Sequence, residues 1–191
     1  MEIACPADCG YLISARLHPP AVVQRQHERD ARFLLPILTG LTEPQSSLFM
    51  LLQGVVGRHR PSALPALQDR DVADAAAALT ATYETAERGI IYEHRPAGLP
   101  AQRLVNDLKA TLEALEARAP RSIGSDATEV LKRLQQAASS AAAAFGGGDT
   151  AYLDLMERFL AEITRGDAGA AEEITTPTQG SLAETPRLIV P

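Results

Sequence analysis

The residues best suited to chemistry crowd the start of the chain. The stretch IACPADCGYLISARLHPP, residues 3–20, holds both cysteines, Cys5 and Cys9, and His18, one of four histidines. Deprotonated sulfur and neutral imidazole nitrogen converging in a tetrahedron are what zinc requires; iron suits the set less well. On a helix, a spacing of four places two thiolates on nearly one face, about 6 Å apart along the axis. His18 and His27 extend the pattern to C-x3-C-x8-H-x8-H. A helix over that region separates these two histidines by about 13 Å. One of them is therefore expected to ligate, with the set completed by His94 or His59, by Asp8 or Glu93, or by water. Two other readings fit the same residues. The cysteines can be small buried hydrophobes, or a thiol redox pair, although C-x3-C is not the C-x-x-C of thioredoxin-like proteins.

The run CPADCGYL resembles the cysteine knuckle of zinc ribbons and rubredoxins, C-P-x-C-G followed by an aromatic or apolar residue. Cys5, Pro6, Cys9, Gly10 and Tyr11 stand in the right order, with one residue too many between the cysteines. The second knuckle of that family is absent, so the resemblance implies a metal and not a rubredoxin-like fold.

A second constellation lies in TYETAERGIIYEHRP. If a helix runs to His94, then Tyr83, Glu87, Ile90 and His94 share a face. Carboxylate-bridged di-metal bundles use Glu-x-x-His pairs. Here the residues three before His18, His27, His59 and His94 are Ala15, Gln24, Val56 and Ile91. That pattern argues against a ferritin-like centre. The plainer expectation is that His94 complements the dipole of a last helical turn. Phosphate-loop, nucleophile-elbow, HExxH zinc and dinucleotide motifs do not occur. FGGGD follows a helical pattern and lacks a phosphate-reading lysine, so it reads as a helix stop.

The elements that must position these residues are helical. Leu104, Leu108, Leu112 and Leu115 recur at spacings of four, four and three, one buried face of a bundle helix. Further helices are expected from Pro20 to about Leu38, Pro44 to His59, Val72 to about His94, Ala101 to about Arg118, Ser125 or Asp126 through the alanine run, and Asp149 or Thr150 to about Arg165. His18–Pro20 should break the first segment from the second. Gly54 and Gly57 share a side on which another helix can approach closely. The fold class expected is all-α: an antiparallel bundle of five or six main helices over residues 20–165, a Cys/His segment over 1–19 and a disordered tail over 166–191. That tail is polar and rich in Gly and Pro; its apolar end, PRLIVP, offers a docking peptide.

Composition narrows the function classes. The hydrophobic fraction is 46% with only 4% aromatics and no Trp, so Leu, Ala, Ile and Val must fill the core. The net charge is −6, which gives no general attraction to nucleic acid or an anionic membrane. Arg outnumbers Lys 16 to 2, but the arginines are scattered among acids. No signal peptide is visible, and the most apolar window, Ser46–Gly57, is too short for a bilayer. The expectation is a cytoplasmic protein of bacterial type, without nucleic-acid or membrane partners, that binds a protein partner or itself and carries a zinc-like site drawn from Cys5, Cys9, His18, His27 and His94. The rival is a metal-dependent enzyme or thiol/metal redox sensor using Cys5, Cys9 and a histidine.

Overall fold

A computed structural model describes residues 10–60, 65–118 and 122–161, with the backbone alone over 10–20. Cys5, Cys9 and the 166–191 segment lie outside the described residues. Among those described, all regular structure is helical: α1 (Gly10–Leu38), α2 (Glu43–His59), α3 (Asp69–Glu87), α4 (Leu99–Glu116), α5 (Gly124–Phe145) and α6, residues 151–161. None of these helices is long and apolar enough to cross a membrane.

Local chemistry sets most of the boundaries. Thr42 and Gln45 form a capping box that starts α2, with Pro44 in its first turn. The Asp71 carboxylate accepts from the Gln68 N–H, 2.9 Å away, at the start of α3. Gly146, at φ 87°, ends α5 in the left-handed conformation, so FGGGD is the helix stop its composition implied.

Two boundaries differ from expectation. The first break, at His18–Pro20, does not occur, and α1 runs through Pro19, Pro20 and Pro36. A proline's fixed φ is already helical. What each proline removes is one i→i−4 hydrogen bond, and that loss is local. The second is α3, which ends at Glu87, seven residues before His94. Gly89 adopts φ 78°. Its N–H reaches the Ala86 carbonyl and the Ile90 N–H reaches that of Thr85. This paired C-terminal cap closes the helix, so Tyr83, Glu87, Ile90 and His94 do not share a helical face.

Packing follows from the alanines. α3 makes its most extensive contact with α5, and Ala75, Ala76, Ala137 and Ala141 are fully buried. α4 adds Leu104, Leu108 and Leu112, all fully buried; Leu115 is half-buried at the edge of the stripe. α2 contributes Phe49 and Leu52, and α6 contributes Tyr152, Leu153, Leu155 and Met156. Of the two glycines on α2, Gly57 is the one approached closely, since a Cβ there would lie 2.7 Å from Leu160 Cδ1.

α6 is held by buried polar contacts. The Asp69 carboxylate, at the first residue of α3, accepts from the Tyr152 and Leu153 backbone N–H groups at 2.8 and 3.1 Å. These are donors that the first turn of α6 leaves without partners of its own. The Tyr152 hydroxyl donates to the buried Gln53 side chain, and burial pushes its phenol above the usual range. α1 docks through its second half. Arg158 of α6 holds Asp30 with two 3.0 Å hydrogen bonds, and Phe33 meets Phe145 edge-on with centroids 5.1 Å apart.

Truncating Leu108 to Ala should destabilise the protein by about 2–5 kcal/mol in denaturant unfolding; a cost under about 1 kcal/mol would assign Leu108 to the wrong face. Asp69 gives a pH dependence. Desolvation raises its pKa above the ordinary 3.8, outweighing the two backbone donors. The unfolded chain therefore releases this proton first, and stability falls as pH rises from 3.8 through the folded value. Measured against Asp69→Asn in parallel unfolding curves, wild type should lose ground across that window and then level off. A gain there would mean that the two backbone donors outweigh burial.

Candidate functional site

The segment between α3 and α4 is where the surface departs from a plain bundle. Beyond Gly89 the sequence reads IIYEHRPAGL, and residues 90–97 form no helix. Two threonines on the last turns of α3 lie along its path. Thr82 Oγ1 accepts from the His94 N–H at 2.9 Å while its own proton goes to the Ala78 carbonyl one turn back, which fixes its rotamer. The single proton of the Thr85 hydroxyl is taken by carbonyls of its own helix, Ala81 and Thr82 at 2.9 Å, with the Tyr92 carbonyl further off at 3.4 Å. From the other side, Gln102 Nε2 of α4 donates to the Pro96 carbonyl at 3.0 Å, and Lys109 donates to Glu93.

This anchoring holds apolar side chains out in water. Ile90, Tyr92 and Leu99 are about half exposed or more, and Ile91 is fully exposed at 101%. Single exposed apolar residues are ordinary, but three in succession on an anchored loop form a patch.

Beneath the loop, a cavity of about 300 Å³ opens between α3 and α4. His94 stands in its wall, its ring edge-on to Tyr92 at 4.8 Å. The His94 Nε2 is buried, and no protein group among the described residues bonds it. The Lys109 hydrogen bond and charge hold the Glu93 carboxyl below the usual range, and the same bond raises the Lys109 ammonium. Both groups stay ionised at neutral pH. Arg95 lies 3.9 Å from Glu93, beyond hydrogen-bond contact.

The described histidines occupy separate places. His27 lines a different cavity, with Asp154 and Arg158 of α6. The continuous α1 separates positions 18 and 27 by about 13.5 Å and half a turn, so the pair is poorly placed for one ion. His59, at the end of α2, is buried with Nδ1 2.6 Å from Asp107 Oδ2 on α4, a pairing the spacing of the two residues in sequence gives no sign of. No group of three or more His, Cys, Asp or Glu side chains suited to a metal occurs among the described residues. The metal expectation therefore rests on Cys5 and Cys9, with His18, outside that comparison.

Spacing alone does not reveal the apolar loop, because Ile90 and Ile91 continue the helical pattern of α3. The available signal was Gly89 followed by two β-branched residues, a helix C-terminus and an extended segment. Comparison of the chain with protein-family models, with curated proteins and with solved structures finds no match.

Proposed function

We propose that the protein is an interaction module that docks a protein partner through the loop Ile90–Ile91–Tyr92. The observation that carries this reading is Ile91, wholly exposed on a loop whose backbone is held by Thr82 and Gln102. An apolar side chain exposed in this way yields about 1.5–3 kcal/mol when a partner buries it. Because the loop is already anchored, little of that gain is spent on ordering it. An aromatic beside an aliphatic anchor, rimmed by Glu93 and Arg95, has the anatomy of an interface centre with a polar edge. A reducing cytoplasm is the setting in which this reading places the chain.

Ile91→Asp should leave thermal unfolding nearly unchanged, because surface substitutions cost within about 0.5 kcal/mol. It should weaken the partner complex at least about tenfold, read by quantitative capture followed by titration with the purified partner. If the complex forms by self-association, the same change should abolish a concentration-dependent dimer in sedimentation. A complex of either kind that persists equally with Ile91→Asp would refute the loop as its anchor.

The Cys5/Cys9 metal site is a separate proposal, supported by the C-x3-C spacing and the knuckle-like CPADCG. Its structural form closes four protein ligands around zinc; the rival enzyme or redox-sensor form leaves a position open for water. Elemental analysis of purified protein should find close to one metal per chain, lost in Cys5→Ser; metal retained by that variant would remove Cys5 from the site.

A further inference from the structure

The docking loop offers main-chain groups as well as side chains, and they divide between two sides. Its inward approaches fall on alternate residues. The Ile90 N–H donates to the Thr85 carbonyl at 3.0 Å, the Tyr92 carbonyl stands 3.4 Å from Thr85 Oγ1, and the His94 N–H donates to Thr82 Oγ1. Between them, the N–H and C=O groups of Ile91 and Glu93 bond no protein group among the described residues. Alternation with a period of two belongs to an extended chain, whose successive main-chain groups point to opposite sides. The main chain of residues 90, 92 and 94 therefore turns towards α3, and that of Ile91 and Glu93, both exposed, turns to solvent. No strand lies beside it among the described residues. An open edge carrying Ile-Ile-Tyr is a template for a second strand.

The chain itself holds a segment that matches this edge. Residues 186–191 read PRLIVP, four residues between two prolines. Run antiparallel, with Ile189 opposite Ile91 and Arg187 opposite Glu93, the segment puts the open groups of Ile91 and Glu93 into hydrogen-bonded pairs. Leu188 then faces Tyr92 and Val190 faces Ile90, in the pairs that use no ladder bonds, which suits two residues already engaged inward. Both prolines suit the same register. Pro186 falls opposite His94, where no N–H is called for, and Pro191 opposite Gly89, where the loop has already turned at φ 78°. Arg187 comes beside the Glu93 carboxylate, whose Oε1 takes Lys109 while Oε2 stands 3.9 Å from Arg95. Apolar and opposite-charge cross-strand pairs are the contacts that stabilise such a ladder. Twenty-six peptide links separate residue 161 from Arg187. They span at most about 90 Å, against a radius of gyration of about 15 Å for a domain of this size, so the segment can reach the loop.

We propose that residues 187–190 add as an antiparallel strand to the loop of their own chain, paired through the main chain of Ile91 and Glu93. This rests on the loop as a docking surface and names what regulates it. The added strand covers Ile90, Ile91 and Tyr92 until a partner displaces it.

The test is amide hydrogen exchange, followed by nuclear magnetic resonance on the full chain without a partner. The Ile91 and Glu93 amides should exchange at least about tenfold more slowly in wild type than in Ile189→Pro, which removes a ladder donor. The His94 amide, held by Thr82, should exchange alike in both, which shows the loop intact in the variant. Ile189→Val keeps the N–H and should keep the slow exchange. A close Hα–Hα contact between Tyr92 and Leu188 marks the register. A synthetic peptide of residues 183–191, added in excess to Ile189→Pro, should restore slow exchange at Ile91 and Glu93. Equal exchange of these two amides in wild type and Ile189→Pro would overturn the proposal. Protection that grows with protein concentration would overturn it too, by assigning the strand to a second copy. A loop left bare in this experiment can still dock a partner through the Ile91 side chain, which Ile91→Asp judges separately.

Discussion

The close approach of α3 and α5 is the constraint on which the rest of the molecule depends. Both helices bury alanine where a typical core buries leucine or phenylalanine. A methyl group fills little space, so such faces exclude water only when the backbones lie near the short end of the usual 8–10 Å interhelical range. With 4% aromatics and no Trp, the chain holds few bulky side chains to bridge a wider gap. Of the fully buried large side chains, Phe49, Tyr152 and Met156 sit on α2 and α6, the leucine stripe on α4, and Leu131 and Leu134 on α5 itself. The contact between α3 and α5 mixes buried alanines with Leu79, Leu131 and Leu134, and the surrounding helices add most of the remaining bulk.

That arrangement explains which parts of the architecture were readable in the amino-acid sequence. The stripe Leu104, Leu108 and Leu112 has one period and one partner face, so its burial follows from spacing alone. The glycines at 146–148 and the Thr42/Gln45 box carry their geometry in residue type. The end of α3 did not read so plainly, because Glu87, Ile90 and His94 continue a helical spacing past the point where the helix stops. Gly89 decides the matter through its left-handed backbone, and the hydroxyl of Thr82 then captures the chain as it turns back. That is a tertiary contact between residues twelve apart, and no helical periodicity encodes it. The prolines of α1 misled in the opposite sense, since local preference argues for a break that the continuous helix overrides.

The candidate site was readable in its residues and not in their arrangement. His94 stands out in the sequence as a member of a helix face, and Glu93 as a group able to complete a metal site. In the structure they belong to a loop, and their neighbours, Gln102, Asn106 and Lys109, come from α4. What brings them together is the reversal at Gly89 and the α4 start at Gly98, where a Cβ would lie 3.4 Å from Asp71 Oδ1. The apolar patch on the same loop depends on that reversal too. Had the helix continued, these residues would have been distributed around a cylinder instead of gathered at one end of the bundle.

The Asp69 contact has a consequence for how the molecule opens. α6 is described from residue 151 to residue 161, and the N–H groups of its first turn find no partners within the helix. Its first turn is completed by a carboxylate from a residue more than eighty positions earlier, and it in turn holds α1 through Arg158 and Asp30. α6 therefore behaves as a bolt between two parts of the chain. When it slides free of Asp69 it loses the cap of its first turn and strains its grip on α1 in one event, while α2 to α5 keep their shared contacts. Local opening should thus be concerted across the first and last described helices, a cooperative unit made of segments that are far apart in sequence.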